Sequence, residues 1–182
     1  MGMITNIIAV ANQKGGVGKT TTVVNLGTAM AACKRTVLII DCDPQGNAST
    51  GLGYDKENGE NDFYDVITAK KSINECILKT KIPNLFIIPT TVNLTAVEQE
   101  FVDLKDRELK LKNILNEIKQ KFDYIIIDCP PSLGLLTINA LAAADNLLVP
   151  LQVEFYALEG LSQLIKTLEL VKLNFNNRLT LQ

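Results

Sequence analysis

A chain of 182 residues with 47% hydrophobic side chains is long and apolar enough for one globular domain, residues 1–182, with a substantial core, which excludes a disordered chain or a coiled coil. The formal charge of −2 supplies no global basic field, so any nucleic-acid contact must come from a local patch. Histidine is absent, which removes Ser-His-Asp and Cys-His catalysis and histidine-ligated metals, and leaves carboxylates, lysines and water as acids and bases.

Four cysteines, Cys33, Cys42, Cys76 and Cys129, form no Cys-x-x-Cys pair and lack the close spacings of a zinc site. Reduced thiols in a cytoplasmic protein account for them. The N-terminus has no basic segment followed by a cleavage site, and no apolar run is long enough to cross a bilayer.

Residues 4–11 are predicted as a first strand, apolar on both faces as in a central parallel strand. Residues 12–22 follow as Asn-Gln-Lys-Gly-Gly-Val-Gly-Lys-Thr-Thr-Thr. Gly15, Gly16 and Gly18 let the backbone curl with its amides inward, and a helix starting near Lys19 aims its positive end at the same spot. An anion belongs there. Lys19 can reach the β and γ phosphates of a nucleotide, and the Thr20 hydroxyl can meet its Mg²⁺. The general phosphate-loop pattern asks for Gly where this chain has Gln13, and it has an extra lysine, Lys14, ahead of the glycines.

A helix is predicted over 19–33, with Gly27, Ala29, Ala31 and Ala32 permitting close approach to a sheet. A second buried strand over 36–40 delivers Asp41 and Asp43 to its carboxyl end, where open parallel sheets bind ligands. Alternation puts the two carboxylates on one side, so a cation between them and the phosphates is implied. The polar stretch 54–62 reads as a surface loop, 63–69 as a short helix, and Ser72 with Glu75 as a capping box. Residues 85–88 make a third strand. Asn93 or Thr95 caps a helix reaching about residue 104, and a further helix over 107–121 turns Leu109, Leu111, Ile114, Leu115 and Ile118 inward. Its lysines are interleaved with acids and read as a solvated face, not a DNA contact.

Residues 123–127 form a strand ending in Asp128, the arrangement of a Walker B carboxylate that acts on Mg²⁺ or its water shell. Pro130 and Pro131 stiffen a switch-like loop over 129–134. A helix over 135–143, a strand over 146–150, an amphipathic helix over 157–173 and the start of a strand at 180–182 complete the chain. The alternation predicts an α/β fold of the P-loop NTPase type: a mostly parallel, twisted sheet with helices on both faces.

Lys-Gly-Gly-Val-Gly-Lys-Thr at 14–20 resembles the deviant Walker A motif of the ParA/MinD/nitrogenase-reductase group of ATPases. Asp-Cys-Asp-Pro-Gln-Gly-Asn-Ala-Ser-Thr-Gly-Leu-Gly at 41–53 resembles the switch I segment of ParA/Soj chromosome and plasmid partition ATPases, as do the stretches 130–145 and 149–160. The resemblance covers nearly the whole chain and is weakest over 56–121. It implies a homodimer closing face to face over two ATP molecules, with Lys14 crossing to the partner's phosphates. It further implies nucleotide contacts from Lys14, Gly15, Gly16, Val17, Gly18, Lys19, Thr20, Thr21 and Asn47, and Mg²⁺ contacts from Thr20, Asp41 and Asp128. Catalysis falls to Asp43, Lys14 and Lys19. Nonspecific double-stranded DNA, a ParB/Spo0J-like activator and a cytoplasmic, nucleoid-associated ATP state are the expected partners and location, without stable membrane association. Family members are typically longer, so a C-terminal portion with base and DNA contacts is expected to be missing, and no residue here takes those roles.

Three rivals remain at this level. A MinD-like membrane-positioning ATPase needs an amphipathic C-terminal helix not contained in this sequence. A metabolic or redox enzyme on the same scaffold fits the switch I sequence poorly, and Cys129 has no evident companion for an iron–sulfur cluster and reads as a buried, inert thiol. A passive binding module has no need of three Mg²⁺-directed motifs.

Overall fold

The computed structural model describes residues 5–55, 61–152 and 157–182. Residue 4 of the first predicted strand, residues 56–60 of the polar stretch and residues 153–156 of the last family-like stretch lie outside them.

The order of elements is β1 Asn6–Val10, α1 Lys19–Ala32, β2 Val37–Asp41, α2 Asn47–Gly51, α3 Phe63–Ile67, α4 Ile73–Cys76, β3 Leu78–Lys79 and β4 Leu85–Ile88. A 3₁₀ turn at Val92–Ala96 runs into α5 Val97–Glu100, and another at Arg107–Leu109 runs into α6 Lys110–Leu115. Then come β5 Tyr124–Asp128, α7 Leu135–Ala143, β6 Asn146–Leu148, α8 Ala157–Asn174 and β7 Thr180–Leu181. Among the described residues, seven strands form one sheet in the order β3-β4-β2-β5-β1-β6-β7, parallel throughout except for the β3–β4 pair.

The strand sequences are continuous apolar runs because both faces of the sheet are covered. In β2, Leu38 and Ile40 join the core on one face while Val37 and Ile39 join the core on the other. In β5, Ile125 and Ile127 divide from Ile126 in the same way. This is the period of two expected of a pleated strand, with no face left for water. Each of these fully buried aliphatic side chains contributes about 1.5–3 kcal/mol relative to an exposed one. On the second face α1 lies close to the sheet: a Cβ at Gly27 would stand 2.8 Å from the Ile39 Cδ1 atom.

Several predicted boundaries shift. The helix expected over 107–121 is α-helical only at Lys110–Leu115, and residues 116–121 continue as turns with bonds such as Ile118 N to Leu115 O at 3.1 Å. Leu111, Leu115 and Ile118 are nonetheless all buried. The cap expected at Asn93 or Thr95 is Thr91, whose hydroxyl accepts the Asn93 amide while donating to Asp62 Oδ2 at 2.5 Å. The Ser72–Glu75 capping box forms as predicted. The short antiparallel strand β3 and the helix α2 were not foreseen by the residue pattern.

Candidate functional site

The sheet order places three strand ends in one row. Val10 pairs with Asp128, and Asp128 pairs with Asp41, so β5 stands between the strand that leads to the glycine loop and the strand that leads to Asp43. All three open at their carboxyl ends onto the same cleft.

In the loop after β1, Gly16 and Gly18 adopt left-handed φ values of 73° and 90°, which a residue with a Cβ rarely takes. Gly18 caps α1 without any side-chain bond, so the first-turn amides keep their capacity for an anion. A Cβ built on Gly15, Gly16 or Gly18 would meet nothing within 4 Å. The glycines therefore border open space of the kind a phosphate would fill. The loop is braced from below. Asn12 accepts the Lys14 amide at 3.0 Å and donates to Pro150 O at 2.8 Å, and Lys19 Nζ donates to Lys14 O at 3.0 Å. Gln152 Nε2 holds Gly16 O at 3.2 Å.

The resulting cleft has a volume of about 440 Å³, with Gly15, Gly18, Lys19, Thr20 and Thr21 on one wall and Asp43, Gln45, Asn47 and Pro131 on the other. Of the predicted site residues, Val17 is buried and has only its backbone to offer, and Lys14 stands half-buried beside the loop. Asp41 and Asp128, both fully buried, form the floor.

The floor acids differ in their partners. Asp41 Oδ2 accepts the Ser49 amide at 2.8 Å and the Ser49 hydroxyl at 2.6 Å, while Oδ1 accepts the Asp43 amide at 3.2 Å. Helix α2 begins at Gly46, which has no side chain to cap it, and Asp41 supplies the missing acceptor from the neighbouring strand. Burial pushes the Asp41 carboxyl up to about 6 against the opposing effect of these bonds. Asp128 is pushed up to about 7, by burial first and then by the charge of Asp41. The nearby Thr20 side chain tempers that shift, yet neither Asp128 oxygen has a hydrogen-bond partner of normal geometry. Lys19 is lowered from the ordinary lysine value by burial, with the charges of Asp128 and Asp43 working the other way.

A buried carboxylate with two unpartnered oxygens beside a lysine and a threonine hydroxyl fits a hydrated cation. Among the described residues no three acidic or cysteine side chains converge as a metal cage. Mg²⁺ keeps several waters and takes ligands from phosphate, so it needs few protein groups. Cys42 and Cys129 flank the floor, both buried and pushed up by burial, as inert thiols should be.

Residues 5–181 match the family model described as an AAA domain. The chain is 52% identical over 97% of its length to the sporulation initiation inhibitor protein Soj of Bacillus subtilis, covering 70% of that protein. This chain belongs to the ParA/Soj family. It is also 49% identical to the chromosome partitioning protein ParA of Myxococcus xanthus, over 97% of this chain and 62% of that relative. Among solved structures, a plasmid partition protein from Borrelia burgdorferi superposes with a TM-score of 0.83 at 28% identity, over 98% of this chain and 76% of that one. The cobyrinic acid a,c-diamide synthase of Mycobacterium smegmatis, solved with ADP and magnesium, superposes with a TM-score of 0.94 at 38% identity, over 98% of this chain and 72% of that one. The scaffold is thus shared with a diamide synthase at 38% identity, above the 28% of the Borrelia partition protein and below the 52% and 49% of the Soj and ParA relatives.

The family motifs drew attention to most cleft residues but missed the braces. Asn12 and Gln152 reach the loop from its two flanks, and Ser49 lies inside the switch I stretch with a polar side chain turned into the core. Ser49 and Gln152 both lie in stretches that resemble the family, 41–53 and 149–160, but neither residue type by itself marks a brace.

Proposed function

We propose that the chain is the nucleotide-binding core of a ParA/Soj-type partition ATPase, which binds Mg²⁺-ATP in the cleft and hydrolyses its β-γ phosphoanhydride bond. The observation that carries this reading is the row Val10–Asp128–Asp41, which sets an unpartnered buried carboxylate under the glycine loop. Thr20, Asp128 and Asp41 would hold Mg²⁺, directly or through its waters. Bound with the triphosphate, Mg²⁺ draws negative charge from the phosphoryl oxygens.

The protein's own groups supply the rest. The loop amides and Lys19 neutralise the phosphates, and Asp43, on the opposite wall, orients the attacking water and takes its proton. Arg35, Arg107 and Arg178 do not line the cleft, and lysines stand where the charge of the transition state develops. Lys19 is one; Lys14, crossing to the second subunit of an ATP-bound homodimer, is the other. Asn47 and Gln45 complete the wall that closes on the nucleotide.

The whole cycle is a switch: the ATP dimer binds double-stranded DNA without sequence preference, and a ParB/Spo0J-like activator speeds hydrolysis and release. The relatives named for chromosome partitioning support this choice over the metabolic alternative. A MinD-like membrane role is the second reading; no helix among the described residues is long and apolar enough to cross a membrane, but surface attachment needs no such helix. The deciding experiment measures DNA and anionic-vesicle binding by the complete protein with ATP, ADP and no nucleotide at two salt concentrations. ATP-dependent, salt-sensitive DNA binding is expected. Vesicle binding without DNA binding would overturn the partition reading.

A further inference from the structure

Ser49 is the third residue of α2, fully buried, and its hydroxyl is engaged on both sides. It donates to Asp41 Oδ2 at 2.6 Å and accepts the Thr90 amide at 3.0 Å, while its own amide donates to the same Asp41 oxygen at 2.8 Å. These bonds join the end of β2, the first turn of α2 and the segment beyond β4. Helix α2 has five residues, too few to persist unaided, and Gly46 offers no cap. Its place therefore rests on Ser49 and on the buried Ala48. The helix carries Asn47 into the cleft wall, four residues after Asp43.

We propose that Ser49 is a positioning residue of the nucleotide site, fixing the Asp41 carboxylate and the first turn of α2 so that Asn47 and the Mg²⁺-directed floor stay in register with the phosphates. The proposal deepens the Mg²⁺-ATP reading above and rests on it. A hydroxyl that orients a cation-directed carboxylate changes metal affinity or activity by about ten- to a hundredfold when removed. A side chain that merely fills space leaves the cation requirement alone.

Two readouts test it in the complete protein carrying Ser49→Ala or Ser49→Thr. In hydrogen exchange without nucleotide, Ser49→Ala should lose about tenfold protection at the Thr90 amide and over residues 47–51, with β1 and β5 unchanged. In nucleotide titrations, Ser49→Ala should weaken Mg²⁺-free binding only a few-fold, through Asn47, while the Mg²⁺ concentration for half-maximal turnover rises about ten- to a hundredfold. Ser49→Thr, which keeps the hydroxyl, should restore both readouts. Unaltered exchange protection in Ser49→Ala overturns the proposal, and so does an equal loss of affinity with and without Mg²⁺. If the unmodified protein shows no Mg²⁺-dependent binding or turnover, the ATPase reading fails instead, and the exchange measurement still decides whether Ser49 holds α2.

Discussion

Replacing Asp128 by Asn removes a charge from the floor of the cleft and preserves the shape of the side chain. Without nucleotide, the Asp128 carboxyl is pushed from 3.8 to about 7 by burial and by the charge of Asp41. The folded protein therefore holds a proton that the unfolded chain releases near pH 4. Stability associated with this group is full below that value, falls as pH rises through about 7, and then stays low. The ionised form costs about 4 kcal/mol at pH 8, from roughly three pK units at 1.36 kcal/mol each. An Asn amide left without partners still costs about 1–3 kcal/mol, so Asp128→Asn should gain a net 1–3 kcal/mol or so at pH 8 and little at pH 5. For a chain of this size about 2 kcal/mol corresponds to a rise of about 4–8 °C in Tm. Thermal and urea unfolding at both pH values, without nucleotide or divalent cation, provide the assay. A variant that follows the parent at both pH values, or is less stable at pH 8, refutes the orphan-carboxylate reasoning.

Other substitutions probe the remaining parts. Asp43→Ala should lower single-turnover hydrolysis by about a hundredfold or more while nucleotide still binds, and undiminished turnover would remove Asp43 from the catalytic role. Lys14→Ala should leave nucleotide binding by the monomer within a few-fold yet abolish ATP-driven dimerisation in light scattering; parallel loss of both would place Lys14 in its own subunit's site. Gly27→Ala sets a methyl 2.8 Å from Ile39 Cδ1, and an overpacking cost of about 1–3 kcal/mol outweighs a helix-propensity gain of about 1 kcal/mol. Urea unfolding should show a net loss of about 1 kcal/mol, and a stabilised variant would mean that the Ile39 side chain or α1 gives way freely.

The elements that carry chemistry were legible because each has a local cause. Apolar runs such as Val37–Asp41 announce buried strands, and glycines at 15, 16 and 18 announce a loop that needs left-handed backbone. What no local pattern contains is adjacency. Nothing in the order of motifs says that β5 inserts between β1 and β2, and hence that Asp128 and Asp41 are register partners. The residue pattern extends a helix over 107–121 because Leu111, Leu115 and Ile118 stay on one side whether the backbone makes α bonds or 3₁₀-like turns. The cap at Thr91 competed with two equally suitable residues, and its bond to Asp62, 29 positions away, settled the choice.

The pairing of Val10, Asp128 and Asp41 has a mechanical corollary. Neighbouring strands are held about 4.8 Å apart by backbone bonds, so the backbones of the two acids cannot part or close without tearing the middle of the sheet. The two acids set a fixed gauge at the floor of the cleft, against which the glycine loop, Asp43, Gln45, Asn47 and Pro131 are placed.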